Sequence, residues 1–293
     1  MKKNIAVVCG GTSSEYEISV QSGRTVYNNL DTAKYNGFLI EFKGKNWVLK
    51  RKNNEEIVIN KDDFSCEIDG EKITFDCVFI AIHGNPGEDG KLQGYLEMLN
   101  IPYAGSGILA SSLSFDKAAC KTYLSNTEVL LAPSILLNNT DKVDVTEILG
   151  KVALPCFVKP NSGGSSCGIS KVKEREELKP AIDLAFREDS AVMVEAFIDG
   201  RELTCGVITH NGNIETLGVT EIIPKNEFFD YEAKYTEGMA EEITPADIST
   251  AIEDECKKLS IMMYKALNCR GIARFDFILS EDKLFYLEVN TVP

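Results

Sequence analysis

At 293 residues, with 44% hydrophobic and 26% charged residues, the chain is too long for one simple core and reads as an ordinary soluble globular protein of two or three domains. Its formal charge of −14 argues against nucleic-acid binding, which needs a basic footprint, yet leaves room for a nucleotide held by a few lysines and Mg2+. No apolar run reaches the ~18 residues of a membrane-spanning helix.

Residues 4–9 (Asn-Ile-Ala-Val-Val-Cys) predict a buried parallel strand. The run is too short for a signal peptide and ends in Gly10 and Gly11, which suit a turn. A helix follows, with Ser13 or Ser14 as N-cap and Glu15 and Glu17 in its first turn. The glycines lack the GxGxxG spacing of a dinucleotide fingerprint. The strand–loop–helix order still places a loop at the carboxyl end of a strand, where α/β sheets bind ligands. Glu15 is therefore either a first-turn acid favoured by the helix dipole or a ligand-facing carboxylate. Short strands are predicted at 38–42 and 46–50, and 51–70 is charged and irregular. Residues 75–82 predict a second buried strand, ending at His83 ahead of a glycine-rich loop and a helix over 91–99. Histidine at a strand end favours function over a purely structural role.

A helix over 107–125 carries Asp116, Lys117 and Lys121, lysines that are ordinarily solvated in such a setting. Strand 154–160 carries Lys159 near its end and runs into a Gly/Ser loop over 161–168, after which a strand resumes at 169–172. Small residues let backbone N–H groups wrap an anion, and lysine supplies a point charge for phosphate. The lysine precedes the glycines, so this is not a Walker A loop; it reads as a phosphate cover in preference to a plain hairpin turn. A helix over 176–187 holds Pro180 in or near its first turn. In the strand 192–197, Glu195 interrupts an apolar run, where a carboxylate needs a partner. With Phe197, Ile198 and Glu202 it makes an apolar slot with acidic ends, suited to adenine and ribose. The aromatic and charged stretch 226–235 is a surface loop or a lid. Thr244 and Pro245 mark the N-cap and first position of a core helix over 246–267. Nine cysteines without a CxxC pair, and only two histidines, point to reduced buried thiols in a cytosolic protein, not to disulfides or zinc.

The last stretch, 271–290, alternates with period two on both sides of a polar turn and predicts a strand pair. Ala273, Phe275, Phe277 and Leu279 share one face with Phe285, Leu287 and Val289; the other face carries Arg274, Asp276, Tyr286, Glu288 and Asn290. A three-residue loop at 281–283 sets Asp276 opposite Glu288 and Arg274 opposite Asn290. Facing carboxylates destabilise a sheet unless a hard cation sits between them, which makes this a candidate Mg2+ site.

Five motifs occur in order: Glu15 in a GG-x-S-S-E-x-x-x-S setting, HGxxGEDGxLQG at 83–94, K-P-x-x-x-GSS-x-G at 159–168, DYEAKY at 230–235, and R-x-D with E-V-N-T-x-P at 274–293. Together they resemble the D-alanine–D-alanine ligases, ATP-grasp enzymes of peptidoglycan synthesis, over essentially the whole chain. The resemblance implies an α/β (α+β) fold of three domains, an N-terminal parallel-sheet domain (1–100) and two ATP-grasp domains (101–196 and 197–293), with ATP between two antiparallel sheets. It implies that Lys117, Lys159 and Lys234 contact phosphates, with Ser166 also at the nucleotide, and that Glu195, Phe197, Ile198 and Glu202 surround adenine and ribose. Asp276, Glu288 and Asn290 would hold two Mg2+ (or Mn2+) ions. Glu15 would bind the ammonium of the first D-alanine with His83 nearby, Ser165 and Tyr235 would clamp two loops together, and Arg274 would stabilise the oxyanion. A cytoplasmic homodimer without nucleic-acid or membrane partners is also implied.

Two departures stand out. Ala196 occupies a position where some members place a lysine; a backbone contact there predicts little effect. The family continues beyond the equivalent of Pro293 with Gly-Met-Thr and a serine-bearing segment that binds the second substrate's carboxylate, so the chain as written is expected to lack half its acceptor site. Tyr235 favours a dipeptide product over D-alanyl-D-lactate. D-serine as acceptor, and a non-catalytic ATP-grasp protein, are the alternatives. Intact Lys159, Arg274, Asp276, Glu288 and Asn290 argue against the second.

Overall fold

The apolar run after Lys3 becomes the central strand of a six-stranded mixed sheet. β1 (Lys3–Gly11) lies parallel to β2 (Tyr35–Lys43) on one side and to β7 (Cys77–Ile80) on the other. Both its faces are covered, which is why its sequence shows no alternation. The sheet runs outward through β3 (Asn46–Lys50) and β4 (Glu56–Val58), both antiparallel, and on the far edge through β8 (Tyr103–Ala104). The computed structural model that defines these elements describes residues 2–51, 55–164, 167–225 and 239–293. Helix α1 (Tyr16–Asn28) packs so closely on β1 that a Cβ on Gly23 would lie 2.4 Å from the Cβ of Cys9. The core around Ala6, Val8, Ile40, Phe42 and Phe64 includes Trp47, stacked 3.9 Å from Phe42, and takes in α2 (Lys91–Met98) through Leu92 and Leu96. The stretch expected to be irregular holds β4 and β5 (Cys66–Ile68), and β5 pairs with β6 (Glu71–Ile73). Asp69 and Gly70 turn that hairpin with φ of 53° and 84°, as an Asp-Gly type I′ turn requires.

The chain divides into two compact units. Residues through Ser112, with Asn268–Gly271 and Thr291–Pro293, make the first; Leu113–Leu267 and Ile272–Asn290 make the second. The chain thus passes between units four times. The two short returns are tied into the first unit: Arg270 donates to Tyr103 Oη at 2.8 Å, Ser106 donates to the Arg270 carbonyl, and Val292 packs on the core.

The second unit contains two sheets. An antiparallel four-stranded sheet has the order β10 (Ser134–Asn138), β13 (Ala191–Ala196), β11 (Cys156–Pro160), β12 (Ser170–Val172). Helices α5 (Val145–Lys151) and α6 (Arg175–Ala185) cover it through Ile148, Leu178 and Ile182. A six-stranded sheet has the order β16 (Ala240–Ile243), β15 (Asn213–Pro224), β14 (Arg201–His210), β17 (Ile272–Ser280), β18 (Lys283–Asn290), β9 (Leu130–Leu131). Helix α7 (Thr250–Ala266) buries Cys256, Leu259, Met263 and Tyr264, roughly 1.5–3 kcal/mol each for the large apolar ones.

Several boundaries differ from expectation. The helix expected over 107–125 is two, α3 (Ile108–Phe115) and α4 (Lys117–Leu124), broken at an extended Asp116 whose carboxylate caps α4 by accepting from Ala119 N at 2.9 Å. Pro180 is in the interior of α6, which starts earlier on a Glu174–Glu177 capping box. Thr244 does not cap α7: it follows edge strand β16 and bonds Thr220 across to β15, while Ser249 caps the helix.

Candidate active site

The β17–β18 hairpin places Asp276 opposite Glu288 and Arg274 opposite Asn290, as expected, but by another route. The loop has two residues, Glu281 and Asp282, both at positive φ (46° and 63°). Up to Phe277–Tyr286 the register is therefore one step off the expected one, and a bulge beside Asp276 restores it. The bulge also changes which side chains are buried: Leu284, Tyr286 and Val289 are, and Phe285 and Leu287 are not. Tyr286 belongs to the core side, where its hydroxyl lies 3.2 Å from Cys120 Sγ.

Asp276 is 2% exposed. Its carboxylate accepts from Arg274 Nε at 2.9 Å and Nη2 at 2.9 Å, and from Asn290 Nδ2 at 3.0 Å. The Asp276 charge beside it, then those of Glu288 and Glu202, more than offset burial and push the Arg274 guanidinium further above its ordinary value. Thr204 faces Asp276 from β14, and its buried Oγ1 has no hydrogen-bond partner among the described residues. Two carboxylates, an amide and a hydroxyl on one sheet face form an oxygen-rich donor set, the chemistry that suits a hard divalent cation. Among the described residues no three His, Cys, Asp or Glu side chains gather as a metal cluster, so the fit rests on the carboxylate pair plus Asn290.

On the other sheet, Glu195 finds the partner its burial demands. Its Oε2 accepts from Lys159 Nζ at 2.5 Å, the two side chains lying diagonally across β11 and β13. Its Oε1 accepts from Lys121 on α4, which also donates to the Ala132 carbonyl at 2.8 Å. Burial raises the Glu195 carboxyl, but the charges of Lys159 and Lys121 outweigh it and hold the group below the ordinary glutamate range. One turn before Lys121, Lys117 Nζ donates to the Gly163 carbonyl at 2.7 Å, and the backbone of α4 is tied to Asn161, so α4 grips the start of the Gly/Ser loop. Phe197 stands edge-on to Phe157, and Lys171 Nζ sits 3.8 Å from its ring centroid. Glu202 is paired with Ile278 on the same sheet face as Thr204 and Asp276. Ile198 follows β13 and is half-buried.

In the first unit Glu15 is itself the N-cap of α1, not Ser13 or Ser14, and its carboxylate makes no capping bond. It is 6% exposed, and its Oε2 lies 3.1 Å from where a Cβ on Gly84 would be; that Cβ would also come 2.7 Å from Ser13 Cβ on a backbone at φ 71°, so glycine lets the chain pass this close. Ser13 Oγ donates to the His83 carbonyl at 2.9 Å, and His83 Nε2 is 2.9 Å from Ser22 Oγ. The structure therefore places Glu15 beside the His83–Gly84 segment. Ser165, Ser166, Lys234 and Tyr235 lie outside the described residues. Sequence reasoning passed over Ser22, Lys171 and Thr204, and gave Lys121 no role. Ser22 is two turns beyond Glu15 and Lys121 one turn beyond Lys117, spacings that put each on the same helix face as a candidate residue.

Family models described as D-ala D-ala ligase N-terminus and D-ala D-ala ligase C-terminus match residues 4–106 and 127–293. The D-alanine–D-alanine ligase of Flavobacterium johnsoniae is 47% identical over 99% of this chain and 90% of its own length. The chain belongs to the D-alanine–D-alanine ligase family. That of Bacteroides fragilis is 44% identical over the whole chain and 90% of its own length. Solved structures of ligases share the fold: D-alanyl-alanine synthetase A of Vibrio cholerae has a TM-score of 0.89 at 29% identity, covering 100% of this chain and 89% of its own. VanG D-Ala:D-Ser ligase of Enterococcus faecalis has 0.87 at 33%, covering 100% and 91%. The D-alanine–D-alanine ligase of Bacillus anthracis complexed with ATP has 0.79 at 30%, covering 99% and 87%. The chain is thus a ligase with an ATP-grasp fold, and no helix among its described residues is long and apolar enough to cross a membrane.

Proposed function

We propose that the protein joins two D-alanines at the expense of ATP to give D-alanyl-D-alanine, a precursor of peptidoglycan. The observation that carries this reading is the polar sheet face where Arg274, Asp276, Glu288 and Asn290 come into register; the family membership names the substrates. The first D-alanine carboxylate attacks the γ-phosphate of ATP, forming an acyl phosphate and ADP. The amine of the second attacks the acyl carbon, the peptide bond forms, and inorganic phosphate leaves. Such chemistry asks the protein mainly for positioning and charge neutralisation. Glu15, buried beside His83, suits the ammonium of the first D-alanine. Lys117 and Lys159, at the start of the Gly/Ser loop, suit phosphates, with Lys234 and Ser166 joining them. Phe197, Ile198, Glu195 and Glu202 make the adenine and ribose slot. Arg274 is positioned by Asp276 to stabilise a developing oxyanion. Ser165 and Tyr235 close the site, because an acyl phosphate hydrolyses in open water.

Asp276, Glu288 and Asn290 would hold Mg2+, which when bound neutralises phosphate charge. The two sheets of the second unit support reading it as two ATP-grasp subdomains, 101–196 and 197–293, which follow a substrate domain of 1–100 in the sequence. Family membership supports a cytoplasmic homodimer. The test is phosphate release from ATP with Mg2+, in D-alanine, L-alanine or buffer, with the product weighed by mass spectrometry. D-alanine-dependent release with a D-Ala-D-Ala mass is expected. Release without D-alanine dependence, or none from folded protein, refutes the reading, and the second of these favours a non-catalytic ATP-grasp protein. The likeness to a D-Ala:D-Ser ligase makes D-serine the competitor to include; a mixed product exceeding D-Ala-D-Ala at equal concentrations would reassign the acceptor.

A further inference from the structure

Lys121 has no place in the reading above, yet it is one of the least solvated charges in the molecule. Lys121, Lys159 and Glu195 are 7%, 6% and 5% exposed. Two ammonium groups share one carboxylate, one oxygen each. Neither ammonium pairs with a second carboxylate among the described residues. Fully ionised, the cluster therefore holds one positive charge in excess inside a low-dielectric interior. Burying a charge without compensation is costly, and burial accordingly pushes the Lys121 ammonium down, with Glu195 only partly offsetting it. Had the fold needed only a satisfied Glu195, Lys159 alone would have sufficed. The excess makes sense if an anion completes the cluster.

The geometry says which lysine meets that anion. Lys121 is held at both ends of its reach, by Glu195 and by the Ala132 carbonyl. Lys159 is on β11, two residues before the Gly/Ser loop begins, and bonds only one Glu195 oxygen. We propose that Lys121 is a positioning residue for Lys159: it occupies one oxygen of Glu195, so that the carboxylate orients Lys159 without cancelling its charge, and the net charge of the cluster is left for the nucleotide phosphates. The proposal rests on Lys159 facing phosphate. Lys121 touches neither substrate.

The experiment compares wild type, K121Q and the charge-retaining K121R by steady-state kinetics and thermal melting. Turnover of ATP and D-alanine by wild type tests the reading beneath the proposal; the variants test the proposal itself. Glutamine keeps a donor for Ala132 and Glu195 but removes the charge, leaving Lys159 and Glu195 as a neutral pair. K121Q is expected to raise KM for ATP about tenfold, with KM for D-alanine within about twofold of wild type. K121R keeps the charge and is expected to hold KM for ATP within about threefold of wild type. A merely structural residue gives a different pattern. K121Q would then melt lower, with both KM values rising together, and K121R would be no better; that result overturns the proposal. So does a K121Q enzyme whose KM for ATP is unchanged.

Discussion

Asp276→Asn removes one charge and changes almost no volume, so its effects can be apportioned. In the folded protein Asp276 accepts two Arg274 contacts at 2.9 Å, a longer one at 3.3 Å and one from Asn290 at 3.0 Å. Hydrogen bonds to a charged group contribute about 1.5–3 kcal/mol, and breaking a fully buried pair costs more. The Arg274 side chain is 38% exposed, so water recovers part of its solvation, and asparagine keeps one acceptor. The expected loss is about 1–2 kcal/mol, a fall in melting temperature of about 2–8 °C. Turnover should fall far more, at least about a hundredfold, because the substitution removes the proposed cation ligand and the anchor of Arg274 together. Phosphate release at saturating D-alanine, titrated with Mg2+, measures the second effect, and thermal melting measures the first. Turnover within about threefold of wild type would remove Asp276 from the reaction. A fall in melting temperature well beyond 10 °C would show that the fold, not the site, had been lost.

Glu195→Ala should strand two buried ammonium groups side by side and cost about 3–5 kcal/mol, read from urea unfolding. The pH dependence has a definite sign. The folded Glu195 carboxyl lies below its ordinary range, so between that value and about pH 4.3 only the unfolded chain binds the proton. Stability from this group is present above that pH and is lost on acidification, and E195Q should show a shallower acid slope than wild type. Replacing Glu281–Asp282, both at positive φ, by Asn-Gly should stabilise the hairpin by about 1 kcal/mol, visible as a higher melting temperature. Ser22→Ala deletes the hydroxyl at His83 Nε2 and should raise KM for D-alanine up to about tenfold while leaving that for ATP near wild type.

How much of this was legible in the chain depends on where each signal lay. The apolar run of β1 and the alternation of β17 are local, and both strands formed where expected. The Asp276–Glu288 pairing was right although the loop length was not, because the one-residue error in the turn and the bulge cancel over the last three residues. Periodicity cannot see a bulge, and so Phe285, Leu287 and Tyr286 were assigned to the wrong faces. The hairpin of Cys66–Ile68 and Glu71–Ile73 was missed although Asp69-Gly70 announced it, since a charged surrounding masked the turn signal. Both halves of the buried triad were visible: Glu195 needed a partner, and Lys121 stood one turn from Lys117. Nothing local linked them, because α4 and β13 are joined only by tertiary packing. A lysine on a helix reads as solvated until the fold shows what lies beneath it.

The four passages of the chain between its two units have a consequence for synthesis. A ribosome delivers the first unit's sheet early, but the pieces that complete it, Arg270 beside Tyr103 and Val292 in the core, emerge only after most of the second unit. The first unit must therefore persist as an unfinished body while the whole second unit is made. Contacts spanning such separations slow folding. They also mean that no single cut in the gene separates the two units cleanly: a piece ending at residue 112 lacks its own last staples, and one beginning at 113 carries them unused.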